Sequence, residues 1–127
     1  MATGISSYLA NAWLDSVGNN TSFAVASVYV KLHVGDPGAN GTANAATETT
    51  RKEASFSAAS SGALASDSAL TWTNIAGSQD ATHFTAWDNV SAGNFLFSGT
   101  ITANAYTAGD TFTISSGSLN VSLTLAS

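Results

Sequence analysis

The chain of 127 residues contains no cysteine. Disulfide staples are therefore excluded, and the composition fits a reducing compartment. Proline occurs once, at Pro37. Charged residues make up only 9% of the chain, against about 25% in an average globular domain. Basic residues are scarcest: Lys+Arg number 3, and the net charge is −5. Nucleic-acid binding needs a basic stripe, so that class is excluded. The one adjacent basic pair, Arg51-Lys52, is flanked by Glu48 and Glu53 and reads as a solvated strand edge or loop. Long apolar runs are also missing, and none approaches the roughly 20 residues of a membrane span. The opening MATGISSYLANAWLD lacks the basic n-region and unbroken apolar core of a secretion signal, so no signal peptide is expected.

What remains is small and polar. Ala, Ser, Thr, Gly and Asn fill roughly three fifths of the chain, well outside average usage. A surface of this kind packs against neighbours without stripping water from many ions, a cost of several kcal/mol per buried charge. It suits a protein that lives in an assembly, or equally a small polar sandwich. The length predicts one domain over residues 1–127, large enough to bury an independent core.

Val28 to Ala43 carries the clearest structural signal. Val28, Val30, Leu32 and Val34 alternate with Tyr29, Lys31 and His33, the period of a half-buried strand. The run stops at Gly35-Asp36-Pro37-Gly38. There Asp36 can bond back to the chain, Pro37 presets φ and Gly38 tolerates a positive one. Residues 36–47 then form a loop longer than usual, which is either functional or covered by a neighbour.

Ahead of this, Ile5, Leu9 and Trp13 recur at helical spacing, and Leu14 and Val17 widen the stripe. An amphipathic helix is expected over 5–17 within an N-terminal segment 1–18. Thr3 is a candidate cap, and Gly18-Asn19-Asn20 a stop. The helix covers the sandwich end or docks on a neighbouring subunit, with core packing the preferred reading. Further strands are expected around Phe56, Leu70 and Trp72, over 81–88, from Phe95 to Ala103, at Phe112 and Ile114, and from Leu119 to Leu125. For 81–88 the alternation does not say which face is inner; Trp72 and Trp87 are expected in the core. Six to eight short strands with regular turns predict an all-β fold, a β-sandwich or jelly roll with one N-terminal helix. Few lysines protect its strand edges, and assembly would solve that problem.

Reaction chemistry finds little support. No Gly-x-Ser-x-Gly elbow singles out a serine. Asp36 and Asp110 sit in turns, where Asp serves local hydrogen bonds, and Asp80 and Asp88 flank one strand. These carboxylates do not read as a glycosidase pair. Two isolated histidines do not make a zinc site. Oxygens near Asp36 and Asn40 offer only a weak calcium possibility, without EF-hand spacing. No enzyme activity, cofactor or metal is expected.

Several ordered segments carry a resemblance: GISSYLANAWLD at residues 4–15, YVKLHVGDPG at 29–38, GTAN at 41–44, THFTAWD at 82–88, GNFLFSG at 93–99 and GDTFTI at 109–114. Together they resemble small virion proteins of tailed phages infecting actinobacteria, of the tail-fibre or minor tail type. The resemblance implies a non-enzymatic β-sandwich on the virion exterior, a minor tail or fibre component or a capsid decoration subunit. It implies contacts with other phage virion proteins, capsid or tail subunits, and homo-oligomerisation, with neither nucleic acid nor membrane as partner. The protein would be made in the host cytoplasm and not secreted. A carbohydrate or host-receptor binding module is the alternative. Tyr8 and Trp13 on the helix, and Asp36, Pro37, Asn40 and Asn44 in the loop, are the candidate interface residues.

Overall fold

The computed structural model describes residues 3–126. One helix, α1 (Ser7–Gly18), precedes eight strands: β1 (Val28–His33), β2 (Lys52–Ala54), β3 (Ala63–Ala65), β4 (Leu70–Trp72), β5 (Gln79–Trp87), β6 (Phe95–Tyr106), β7 (Phe112–Ile114) and β8 (Asn120–Ser122). All strand pairing is antiparallel, so the fold is all-β with a single N-terminal helix. A four-stranded sheet runs in the order β2-β1-β5-β6, and two ribbons, β3-β8 and β4-β7, complete the set.

The core follows from the alternation in β1. Val30 and Leu32 point inward and lie opposite Ala86 and Phe84 of β5. These four side chains are fully buried. They join Leu70 and Trp72 of β4, Phe112 and Ile114 of β7, and Leu119 in one apolar cluster. Edge-on rings stitch it together: Phe84 meets Phe97 at 6.0 Å, and Tyr106 meets Phe112 at 5.3 Å between ring centroids. Gly99 is required by this arrangement, because a Cβ there would lie 2.7 Å from the Phe84 ring.

The helix starts later than the spacing predicts. Ser6, not Thr3, is its cap: Ser6 Oγ accepts the Leu9 N–H at 3.1 Å and donates to the Phe95 carbonyl at 2.6 Å. Ile5 lies outside the helix, bridged to Phe97. Residues 4–6 thus extend along the edge of β6, with Ser6 N–H donating to Leu96 O and Ser98 N–H to Gly4 O, both at 2.8 Å. Backbone pairing outcompeted the apolar periodicity that placed Ile5 in the helix. Only Leu9 on α1 is fully buried. Leu14 and Val17, expected to widen the buried stripe, are 69% and 85% exposed.

Other boundaries moved for similar reasons. The strand around Phe56 shrinks to Lys52–Ala54, with Phe56 itself bridged to Ser66. The closing strand covers only Asn120–Ser122, and Leu123 and Leu125 lie outside it, about half exposed. The short β3 had no alternation to announce it and exists through its pairing with β8.

Candidate functional site

The second face of the four-stranded sheet decides how the candidate residues are placed. On that face Tyr29, Lys31 and His33 of β1 stand opposite Trp87, Thr85 and His83 of β5. A half-buried strand would expose this row. Instead His33 and Thr85 are completely buried and Trp87 nearly so. Both faces of the sheet are covered here, which is why the alternation over 81–88 cannot name an inner face. Trp72 lies in the main core as expected; Trp87 is buried on the opposite face.

The cover is the loop over residues 36–47. It is fastened to the sheet beneath it. Asp36 Oδ1 accepts the Gly38 N–H at 2.8 Å, closing the turn as its sequence predicts. Asn44 adopts a left-handed φ of 55° and donates from Nδ2 to Asp36 O at 2.8 Å. Val34 N–H donates to Asn44 O at 2.8 Å and Ala46 N–H to Leu32 O at 3.1 Å, so the returning limb pairs with the end of β1. Gly41 has φ 72°, and its Cα faces the Phe95 ring so closely that a Cβ would lie 2.7 Å from it. Pro37 is buried, and Asn40 is exposed at the tip.

Beneath the loop runs a directional hydrogen-bond chain. The Ala43 carbonyl can only accept, so His33 Nδ1 carries the proton and donates to it at 2.8 Å. His33 Nε2 then accepts from the Thr85 hydroxyl at 2.9 Å, and Thr85 Oγ1 accepts the Trp87 indole N–H at 2.7 Å. Arg51 lies 4.3 Å above the Trp87 ring and donates from Nη1 to the carbonyls of Asn89 and Ala92, both at 2.7 Å. The residue read as part of a solvated edge is a half-buried clamp. Burial holds His33 below the ordinary imidazole range and outweighs the bond to Ala43, which works the other way. Glu48, just past the loop, is a buried carboxylate. Burial pushes its pKa up, but the N–H groups of Ala76 and Thr50 and the charge of Lys52 bring it below its ordinary value.

The other candidate residues lie on the helix. Tyr8 is 42% exposed, edge-on to Phe23 at 6.2 Å. Trp13 is half-buried and lines an apolar groove of about 220 Å³ with Ile5, Leu64, Val121 and Leu123. Val17 follows Trp13 by four positions and so neighbours it on the helix, and Leu14 lies three positions before Val17 on that same flank. Leu125 lies against Gly62, another lining residue, on the far side. Among the described residues, four of the six exposed large apolar side chains, Leu14, Val17, Leu123 and Leu125, lie on the helix and the C-terminal segment. The structure thus separates the six candidates into a fastened loop (Asp36, Pro37, Asn40, Asn44) and an apolar face that holds Trp13, with Tyr8 on the helix's other flank. Sequence reading missed Leu123 and Leu125 as surface residues, because alternation alone placed them in a buried strand.

Among the described residues no three His, Cys, Asp or Glu side chains gather as a metal site. No helix there is long and apolar enough to cross a membrane. Among curated proteins, none matches the chain. The model of one family, podophage GP4 fiber I protein gp80, matches residues 4–122; with nearly its whole length covered, the chain belongs to this family of phage fibre proteins.

Proposed function

We propose that this chain is a non-enzymatic structural subunit on the virion exterior, a tail-fibre or minor tail component. It seats against other virion proteins through the face made by Trp13, Leu14, Val17, Leu123 and Leu125. The observation that carries this reading is the gathering of exposed aliphatic side chains on the helix and C-terminal segment. Contiguous apolar surface rimmed by polar residues characterises interaction sites. The expected occupant is an uncharged apolar segment of a neighbouring capsid or tail subunit. Asp15 is the one charged residue on the helix, so little ion desolvation opposes docking. Homo-oligomerisation and an actinobacterial host belong to the same proposal, carried over from the sequence resemblance.

The test is incorporation. Phage carrying Leu14→Asp with Val17→Asp should hold several-fold fewer copies of the protein per particle, while the isolated variant keeps its melting temperature. Unchanged copy number would sink the docking face. Gold-labelled antibody on intact virions separates the two positions: label at the tail supports the fibre assignment, and label over the head makes the chain a capsid decoration subunit. The carbohydrate-binding alternative draws less support, since Trp72 and Trp87 are buried and only Tyr8 offers a substantially exposed ring on the helix.

A further inference from the structure

We propose that His33 is a proton-sensitive latch that holds the 36–47 loop down over the outer face of the four-stranded sheet. The argument rests on hydrogen-bond direction. His33 is fully buried, and both ring nitrogens are committed. Nδ1–H secures the loop through Ala43 O, and Nε2 must stay unprotonated to accept from Thr85. A proton added at Nε2 turns that nitrogen into a donor. The Thr85 hydroxyl must then swing its own hydrogen away, because its oxygen receives N–H groups from both His33 and Trp87. That hydrogen loses its acceptor on His33, and an imidazolium has been created on a fully buried ring. Each is costly in a buried site.

The surrounding charges offer no relief. Lys31, on the same strand, and His83, directly opposite on β5, both work against a proton on His33. Asp36 in the loop is bonded to Gly38 N–H, and Glu48 beyond it is bonded to Ala76 and Thr50. Asp80 lies near the start of β5, and Asp88 follows its last residue and bonds Asn94. The cheapest way to accept the proton is to lift the loop and let water reach the ring. With the loop raised, His33 recovers an ordinary affinity for protons; with it closed, the affinity is lower. Acid therefore favours the raised form, and the gain begins as pH falls below the free imidazole value of about 6.5. Lifting the loop would uncover the Phe95 ring beside Gly41 and the His33 ring beneath Ala43, a surface distinct from the helix face.

Amide hydrogen exchange on the full chain tests this, with protection factors corrected for the intrinsic pH dependence. The reporters are Val34, Ala43 and Ala46, whose N–H groups hold the loop; Phe84 and Ala86 on β5 report the sheet. Between pH 7.5 and pH 5, loop protection should fall by up to about tenfold for each pH unit below about 6.5. Sheet protection should hold. His33→Gln keeps a donor and an acceptor but cannot titrate, and should remove the pH dependence. Loop protection that is equal at both pH values overturns the latch, as does a fall shared equally by the sheet or retained in His33→Gln. Should the variant fold poorly, ring-nitrogen NMR shifts of the wild-type protein decide: a neutral ring protonated at Nδ1 above pH 6.5 supports the latch, and an Nε2–H tautomer overturns it.

Discussion

The 36–47 loop and the helix α1 differ in how their side chains and backbone are satisfied. The loop is long, polar and rich in Gly, Ala, Asn and Thr, the composition of a segment that waits for a partner. It is nevertheless stitched to its own sheet by backbone pairing and the His33 ring, while the Asn44 side chain ties the loop to itself at Asp36 O. The helix is amphipathic and looks like a core element, yet one flank with Leu14 and Val17 faces solvent. The difference lies in where the unmet needs are. A polar loop can satisfy its backbone locally and fold down, whereas an aliphatic side chain on a surface helix is satisfied only by another surface. Small polar residues here are satisfied within the fold, and the large side chains left uncovered on the helix are aliphatic.

The contrast can be broken from either side. Gly41→Ala is expected to cost most, about 2–3 kcal/mol, because the methyl overlaps the Phe95 ring and the backbone holds a left-handed φ. Urea unfolding measures it, and a cost below 0.5 kcal/mol would mean the loop is not fastened. Removing the whole loop should likewise weaken the fold, since it takes away the Ala43 acceptor of His33 and the backbone packed on Phe95. Thr85→Val leaves the Trp87 indole N–H and His33 Nε2 unpaired and should cost about 1–3 kcal/mol in the same assay.

Glu48 anchors the chain just beyond the loop and gives a pH signature. Its pKa is lower in the folded protein than in the unfolded chain. The stability it contributes is thus complete above the unfolded value of about 4.3 and is lost as pH falls through the folded one. Glu48→Gln should flatten that part of a stability-against-pH curve. The opposite sign would mean that burial outweighs the two N–H donors. Tyr106 belongs to neither region. Its buried hydroxyl has no hydrogen-bond partner among the described residues, so Tyr106→Phe should raise stability by up to about 1 kcal/mol. On the helix face, Leu14→Ser and Val17→Ser should change stability by less than about 0.5 kcal/mol, the smallest effect of the set, and still reduce incorporation.

Much of the framework was legible because it depends on local pattern. The alternation of β1, the Asp36–Gly38 turn and the long strand from Phe95 all follow from period and turn chemistry. Three features do not. Nothing within Leu14 or Val17 says whether another element covers them, since helical spacing defines a face but not its partner. Ala63–Ala65 has no alternation of its own and becomes a strand only by meeting β8. His33 looks like one more outward residue in β1, and its burial depends on a loop folding back over it. A usable hint was present in Trp87, the one large apolar ring of that outer row, and in the glycine at 41, where the Phe95 ring approaches closely.

One small junction has a mechanical meaning. Ser6 closes the first turn of α1 through Leu9 and also grips β6 through Phe95 O, while the segment 4–6 runs antiparallel along Leu96 and Ser98. If the helix is where the subunit is attached, a tug along the strand direction stresses the bonds from Ser6 N, Ser6 Oγ and Ser98 N together, in shear. A tug across the strand peels them apart one at a time. The joint therefore resists force by direction, firm along β6 and weak across it, and under such an attachment the angle of pull would set how much load the joint bears before it opens.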